Sequence, residues 1–385
     1  MTARTERLRR ESLDAIPSIS GERASITTGF YKEHQGRHSI PVLRAVNFYT
    51  ICDRKTLWMG EGELIVGERG PRPKAVPTYP ELTCHSAEDL RILDSRPKTQ
   101  YKVALSVIDE YERQIIPYWR GRSLRDQMFS ELPQEWLDAY AAGCYTEFME
   151  QRAPGHTVGD GKLYRKGMLD FKADIAMADA ALDFEKDPEA LDKREQLRAM
   201  AIACDAVIRF AERHAVLAET EAAKTRDDAR RQELLKIADV CRWVPAHAPR
   251  DFHEALQAYW FCHLAVITEL NGWDAFSPGH LDQHLWPFYR AGLANGTLTR
   301  ESARDLLECF FIKFNNHTAP PKVGVTAAES GTYTDFANLN LSGCSVMAAT
   351  GRTRSRTSCS TSSTRCTCCS PAATCRCRAR RPTRC

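Results

Sequence analysis

Three stretches carry side chains able to hold or process a small polar molecule. The first, TEFMEQRAPGHTV (Thr146 to Val158), sets Phe148, Glu150, Arg152 and His156 around the end of a helical pattern and a Pro-Gly turn. By residue type alone it reads more readily as a helix end with a surface ion pair and a satisfied histidine. The second, TELNGWDAFSPGHLDQH (Thr268 to His284), puts Asp274 between Trp273 and Phe276. A carboxylate in apolar company costs several kcal/mol unless it meets a partner, so Asp274 is either paired inside the protein or open to a cationic ligand. The third, KVGVTAAESGTYTDFANLNLSG (Lys322 to Gly343), carries Ser330, Asp335 and Phe336 on a predicted strand and loop.

Weaker patterns count for less. His280 and His284 stand four apart, a metal pair if helical, but no Glu follows the first in the metalloprotease arrangement and surface polarity explains them better. GDGKLYRKG (Gly159 to Gly167) lacks phosphate-loop spacing, and no GxGxxG follows a strand. Seven cysteines precede residue 343 (Cys52, Cys84, Cys144, Cys204, Cys241, Cys262, Cys309), with no CxxC pair and no conspicuous base beside any of them. They read as reduced, buried thiols, and no metal site is expected.

The elements that must position these groups are mostly helical. Ser86 and Asp89 fit a capping box, opening a helical pattern from Leu90 towards Trp119 with Pro97 as a break. Further helices are predicted over 133–150, over 189–243 as one or two long rods, after Asp251, and after Thr299. The run ALQAYWFCHLAVITEL is apolar on nearly every side and belongs in the middle of a large fold. ELIVGE (Glu63 to Glu68) and KVGVT (Lys322 to Thr326) read as short strands. The N-terminus is charged, without the apolar segment of a secretory signal, and no run of about eighteen apolar residues occurs. A cytoplasmic protein without a membrane span is expected.

The last residues follow different rules. Gly343 to Cys385 holds nine Arg, eight Cys, eight Thr and seven Ser, with no Lys, Asp, Glu, Leu, Ile, Phe, Tyr or Trp. The whole chain has a formal charge of +3, so residues 1–342 alone carry −6, which argues against nucleic-acid binding by the body. The tail could be a thiolate metal site or an arginine-rich nucleic-acid arm, but it has neither histidine nor an apolar shell. A translational frameshift accounts for it better. Legal codons for Ser358 to Arg378, read one base earlier, spell LVLDVLDEMHLLQPSSNVQVS, an amphipathic helix, turn and strand; Met347 to Ser355 re-read as DGRDG-x-NEV. Residues 343–385 are therefore expected to be out of frame and disordered, too poor in apolar area to offset chain entropy.

With these residues in place, the chain resembles the glycyl radical enzymes of the pyruvate formate-lyase-like superfamily. The likeness runs over roughly residues 5–342, through TERLRRESLDAIPSISGERA, GELIVGERGPRPKAVPTYPE, TEFMEQRAPGHTVGDGKLYRKGMLDFKADI, VPAHAPRDFHEALQAYWF, WDAFSPGHLDQHLWPFY and KFNNHTAPPKVGVT. The re-read tail continues it. The strongest likeness is to the branch that removes water from trans-4-hydroxy-L-proline to give 1-pyrroline-5-carboxylate; branches acting on diols, choline, isethionate or pyruvate are the alternatives, and a non-catalytic helical binding protein is a further one. The resemblance implies an α/β, mostly helical fold, the N-terminal part of a ten-stranded barrel wrapped in helices and incomplete over residues 1–342. It implies strand edges left unpaired, the face of AYWFCHLAVITEL incompletely covered, and hence aggregation. It implies that Phe148, His156, Asp274, Ser330, Asp335 and Phe336 bind substrate: His156 and Asp274 through polar contacts, Ser330 through a hydrogen bond, Phe148 and Phe336 as walls around the ring. No bound cofactor or metal is implied. The glycyl radical is installed by a radical-SAM activating enzyme, and the family's intact members are expected to be homodimers. The family's Cys-x-Glu loop and radical glycine fall beyond the frameshift point, so the chain is expected to be inactive alone.

Overall fold

The structure is a computed structural model, and it describes residues 1–145, 157–270, 276–319, 337, 339 and 341. Fourteen α-helices are found among them. The N-terminal layer comprises α1 (Ala3–Asp14), α2 (Glu22–His34), α3 (Ile40–Arg54), α4 (Ala87–Ser95), α5 (Leu105–Glu110), α6 (Ile116–Trp119), α7 (Leu124–Glu131) and α8 (Gln134–Ala141). A π turn, Tyr111–Ile115, joins α5 to α6. The second layer comprises α9 (Met168–Ala180), α10 (Ala190–Lys224), α11 (Asp228–Trp243), α12 (Phe252–Glu269), α13 (Leu281–Asn295) and α14 (Arg300–Asn315).

Local chemistry sets most boundaries. Ser86 and Asp89 close the expected capping box on α4, which stops at Ser95, short of Pro97. The predicted 189–243 rod is two helices, broken at Thr225 and restarted by the Asp227 carboxylate accepting from Ala229 and Arg230 N–H. Asp251 caps α12 by accepting from Glu254 N–H, and Thr299 caps α14 in a box with Ser302. The helix expected over 133–150 ends earlier, at Ala141, because Gly143 turns the chain out at φ +73°.

Fourteen of the eighteen residues of α12 are buried, so this helix is covered on nearly every side. The expected bare face is not observed. Trp260, Phe261, Leu264 and Ile267 meet Phe210 and Ala211 of α10, Leu281 and Leu285 of α13, and Phe310 and Phe311 of α14 in the main core. A smaller core in the N-terminal layer gathers Ile19, Val76, Leu90, Tyr101, Tyr111 and Trp119.

Two three-residue strands are found among the described residues, β1 (Ser18–Ser20) and β2 (Ala75–Pro77), paired in parallel with Ser18 opposite Ala75. Glu63 to Glu68 is not a strand. Its backbone is clamped by side chains instead: Arg230 donates to Glu63 O (3.0 Å), Gln257 bonds both Val66 N (2.9 Å) and Val66 O (2.9 Å), and Trp260 donates to Gly67 O (3.0 Å). Lys55 Nζ donates to Glu68 O (3.0 Å) and Arg69 O (2.7 Å). The short apolar run predicted burial correctly, but polar groups from helices satisfy what a ladder would have satisfied. The second predicted strand, Lys322 to Thr326, lies outside the described residues, as does everything after Leu341. Among the described residues no helix is long and apolar enough to cross a membrane.

Candidate functional site

All six residues expected to bind substrate, Phe148, His156, Asp274, Ser330, Asp335 and Phe336, lie outside the described residues. What the structure shows is how the ends of the stretches that carry them are held. Thr157, next to His156, forms a parallel bridge with Ser277, three residues from Asp274, and Val158 N–H donates to Ser277 O (3.1 Å). Val158 and Phe276 anchor this junction in the main core. Gly279 permits it: its φ is +64°, and a Cβ there would lie 2.6 Å from Thr157 Cγ2. The first two stretches singled out in the sequence therefore have described ends that meet.

The other end of the Asp274 stretch leaves α12. Arg23 Nε donates to Thr268 O (2.9 Å), and Tyr79 OH donates to Ile267 O. Arg23 is held in turn by Glu81, at 2.6 and 3.1 Å, and lies 4.0 Å over the Tyr79 ring. Burial alone would lower its pKa, but the Glu81 carboxylate outweighs that and holds the guanidinium above its ordinary value. The stretch carrying Ser330, Asp335 and Phe336 begins just after Ala319, whose carbonyl accepts from Tyr101 OH (2.7 Å).

Behind Ala319 lies a buried ionic cluster. Lys313 Nζ bonds Glu63 Oε1 (2.6 Å) and Glu68 Oε1 (2.9 Å); Asn316 Nδ2 donates to Glu68 Oε1 (2.8 Å); His317 Nε2 stands 3.4 Å from Glu68 Oε2. Ser12 Oγ donates to Asn316 Oδ1 (2.6 Å), tying α1 to the end of α14. Burial pushes the carboxyl groups up, but Lys313 and His317 more than offset this for Glu68, which falls to about 2. Glu63 stays raised because burial prevails over Lys313. Burial likewise favours neutral imidazoles: His317 and His263 are lowered, and His214 falls to about 3. The cluster thus holds a charged Glu68–Lys313 pair beside a carboxyl that resists ionisation. Enclosed on every side, it fastens the 63–69 segment to α14 and fixes where the chain leaves towards Ser330.

None of these charged residues stood out in the sequence. Their signal was a charge inside an apolar run, Glu63 and Glu68 flanking LIVG and Lys313 within FFIKF. Of the cysteines, Cys144 is exposed and Cys84 half-buried, against the expectation of burial; the other five are buried. Desolvation pushes Cys52, Cys262 and Cys309 up to about 12, so these are inert thiols. His284 Nε2–H donates to the exposed Asp160 Oδ1 (3.0 Å), and among the described residues no group of three His, Cys, Asp or Glu could hold a metal ion. An open groove of about 910 Å³ runs elsewhere, between α9 and α10, lined by Phe171, Ile175, Leu197 and Met200 among others.

The mostly helical structure, with one apolar helix buried at its centre, matches the fold of solved glycyl radical enzymes over part of their length. The chain belongs to the pyruvate formate lyase-like family, whose sequence model matches residues 1–384. It is 50% identical over 340 residues to trans-4-hydroxy-L-proline dehydratase of Clostridioides difficile, covering 88% of this chain and 43% of that protein. It is 31% identical over 318 residues to isethionate sulfite-lyase of Nitratidesulfovibrio vulgaris, covering 78% of this chain and 38% of the relative. The crystal structure of hydroxyproline dehydratase from C. difficile with trans-4-hydroxy-L-proline bound superposes with a TM-score of 0.91 at 46% identity, covering 95% of this chain and 46% of that one. The chain thus spans less than half the length of these relatives.

Proposed function

We propose that residues 1–342 form part of a cavity for trans-4-hydroxy-L-proline, belonging to a dehydratase whose reaction is elimination of water to 1-pyrroline-5-carboxylate. The observation that supports this most directly is the Thr157–Ser277 bridge, which joins the stretches bearing His156 and Asp274. The 50% identity to a hydroxyproline dehydratase supports the substrate. In this reading His156 and Asp274 contact the polar groups of the ligand, Ser330 and Asp335 complete the hydrogen bonds, and Phe148 and Phe336 enclose the ring. A shaped, water-poor enclosure is what a charge- and hydroxyl-bearing ring needs before its C–O bond can break.

The chain is proposed not to complete the reaction by itself. No Cys-x-Glu motif occurs in it, and residues 343–385 contain no glutamate. Radical chemistry would come from a glycyl radical installed by a radical-SAM activating enzyme on the parent protein, proposed to be a cytoplasmic homodimer; residues 343–385 are proposed to be an out-of-frame, disordered appendage. Titration calorimetry of the chain tests the cavity. Trans-4-hydroxy-L-proline should bind at least about tenfold tighter than L-proline or isethionate, the discrimination one well-placed hydroxyl contact provides. Equal affinities, or none, refute it. With activating enzyme and SAM under anaerobic conditions, a glycyl doublet by EPR on this chain would refute the proposed inactivity.

A further inference from the structure

A surface helix ordinarily buries one apolar stripe. Helix α9, MLDFKADIAMADA, does not: of its thirteen residues Ile175 alone is buried, and Met177 is 65% exposed. The start of α10 beside it is as bare. No residue from Leu191 to Ala203 is buried, and Met200 is 52% exposed. The two helices run antiparallel as a hairpin, tied at its base by Lys172 Nζ donating to Asp205 Oδ1 (2.6 Å). Phe171, Ile175 and Ala178 on one side and Leu197, Met200 and Ala203 on the other form the apolar floor of the groove of about 910 Å³. Its two ends differ in charge. At the base it is lined by Lys162, Arg165 and Lys166; Lys166 is held by Asp174, whereas Lys162 and Arg165 are exposed and meet no carboxylate among the described residues. Past Ala178 and Leu197 it continues to the tip, where Glu189 and Asp192 line it. The tip segment, Asp179 to Lys193, carries six acidic residues against two basic. An occupant must be apolar along a helix of ~20 Å, acidic over the base and basic over the tip. The hairpin itself, turned about a two-fold axis, has that order: its tip comes over the base of the first copy, and its base over the first copy's tip.

We propose that the α9–α10 face is where two copies of this chain pair, antiparallel, with apolar floor against apolar floor and each acidic tip on the other copy's Lys162 and Arg165. This gives a face to the homodimer proposed above and is independent of the reading of the substrate residues. Sedimentation velocity of the full chain at low salt tests it, at about 100 µM, where a small interface of micromolar affinity is populated. Wild type should sediment as a species of twice the 43.5 kDa of one chain. Three variants are compared with it: Met200→Glu at an exposed helical position, the base reversal Lys162→Glu/Arg165→Glu, and the tip reversal Glu189→Lys/Asp192→Lys. Each alone should associate at least about tenfold more weakly, since like charges then face one another or a charge enters the apolar floor. Mixed in equal amounts, the base-reversed and tip-reversed chains should pair with close to wild-type affinity, because each supplies the charges the other has lost. That recovery also shows that both variants fold. A monomeric wild type overturns the proposal and the homodimer together. A dimer that all three variants leave unchanged overturns the proposed face while the homodimer stands. A mixture that associates no better than its separate components overturns the antiparallel order. None of these outcomes touches the substrate reading, which is judged by ligand binding.

Discussion

Replacing Glu68 by Gln should remove a definite part of the chain's resistance to acid. The Glu68 carboxyl is fully enclosed, meets Lys313 at 2.9 Å and Asn316 at 2.8 Å, and titrates at about 2 rather than 4.5. That displacement is worth ~3 kcal/mol. The folded value is depressed, so the stabilisation is present above pH 4.5 and is lost as pH falls towards 2. About 2 kcal/mol of it should be gone by pH 3. Glu63 has the opposite sign: its folded value is raised, so its contribution is complete below 4.5 and is lost as pH rises through that folded value. The two carboxyls therefore pull the pH–stability curve in different directions, and only Glu68 steepens its acid limb.

Urea unfolding followed by circular dichroism, at intervals from pH 7 to pH 3, measures this directly. Wild type should lose ~2 kcal/mol more over that range than E68Q. At pH 7, Lys313→Met should cost ~3–5 kcal/mol, since it strands Glu68 as an unpaired buried charge. The double variant K313M/E68Q should recover ~2 kcal/mol or more of the summed single losses, because the stranded charge is gone. Parallel pH curves for wild type and E68Q, with a coupling energy under ~0.5 kcal/mol, would refute the argument that this pair is charged and mutually dependent.

Other consequences are as direct. His214 titrates near 3 because burial disfavours the imidazolium; its folded value is depressed, so stability present above pH 6.5 declines below it, by about 2 kcal/mol at pH 5, and His214→Phe should flatten that part of the curve. Gln257→Leu removes both bonds to Val66 and should cost ~2–4 kcal/mol, read as a lower urea midpoint with unchanged slope. Gly167→Ala places a Cβ 2.3 Å from Ala246 O and 2.4 Å from His247 Cα; its backbone φ of −94° is unstrained, so a loss of ~1–3 kcal/mol would be purely steric.

Helices were legible where chemistry is local. Ser86, Asp227, Asp251 and Thr299 set their boundaries through bonds made within three residues. The central place of α12 was legible from apolarity on every side. What could not be read were arrangements whose partners are hundreds of residues apart. Glu63 to Glu68 looks like a strand because Leu64, Ile65 and Val66 form a short apolar run, two of them β-branched, yet its backbone bonds go to Arg230, Gln257 and Trp260. Lys313 gives no sign of Glu63 and Glu68 in its own neighbourhood, and its burial is intelligible only once they meet.

The same division governs the candidate site. Its residue types, Phe148, His156, Asp274, Ser330, Asp335 and Phe336, were named from the sequence, and all of them lie outside the described residues, in stretches of which only the ends are described. Connecting stretches can carry binding groups only if their ends are fixed, because each freely rotating residue adds entropy that ligand binding must overcome. The structure supplies fixed ends by polar means at each: a backbone bond at Thr157–Ser277, a guanidinium and a phenol at the end of α12, a tyrosine hydroxyl on Ala319. Directional bonds of this kind set position where apolar packing would set only proximity. That gives a physical reason for the buried charge of Arg23, Glu81, Lys313 and Glu68 in a structure that also has a large apolar core.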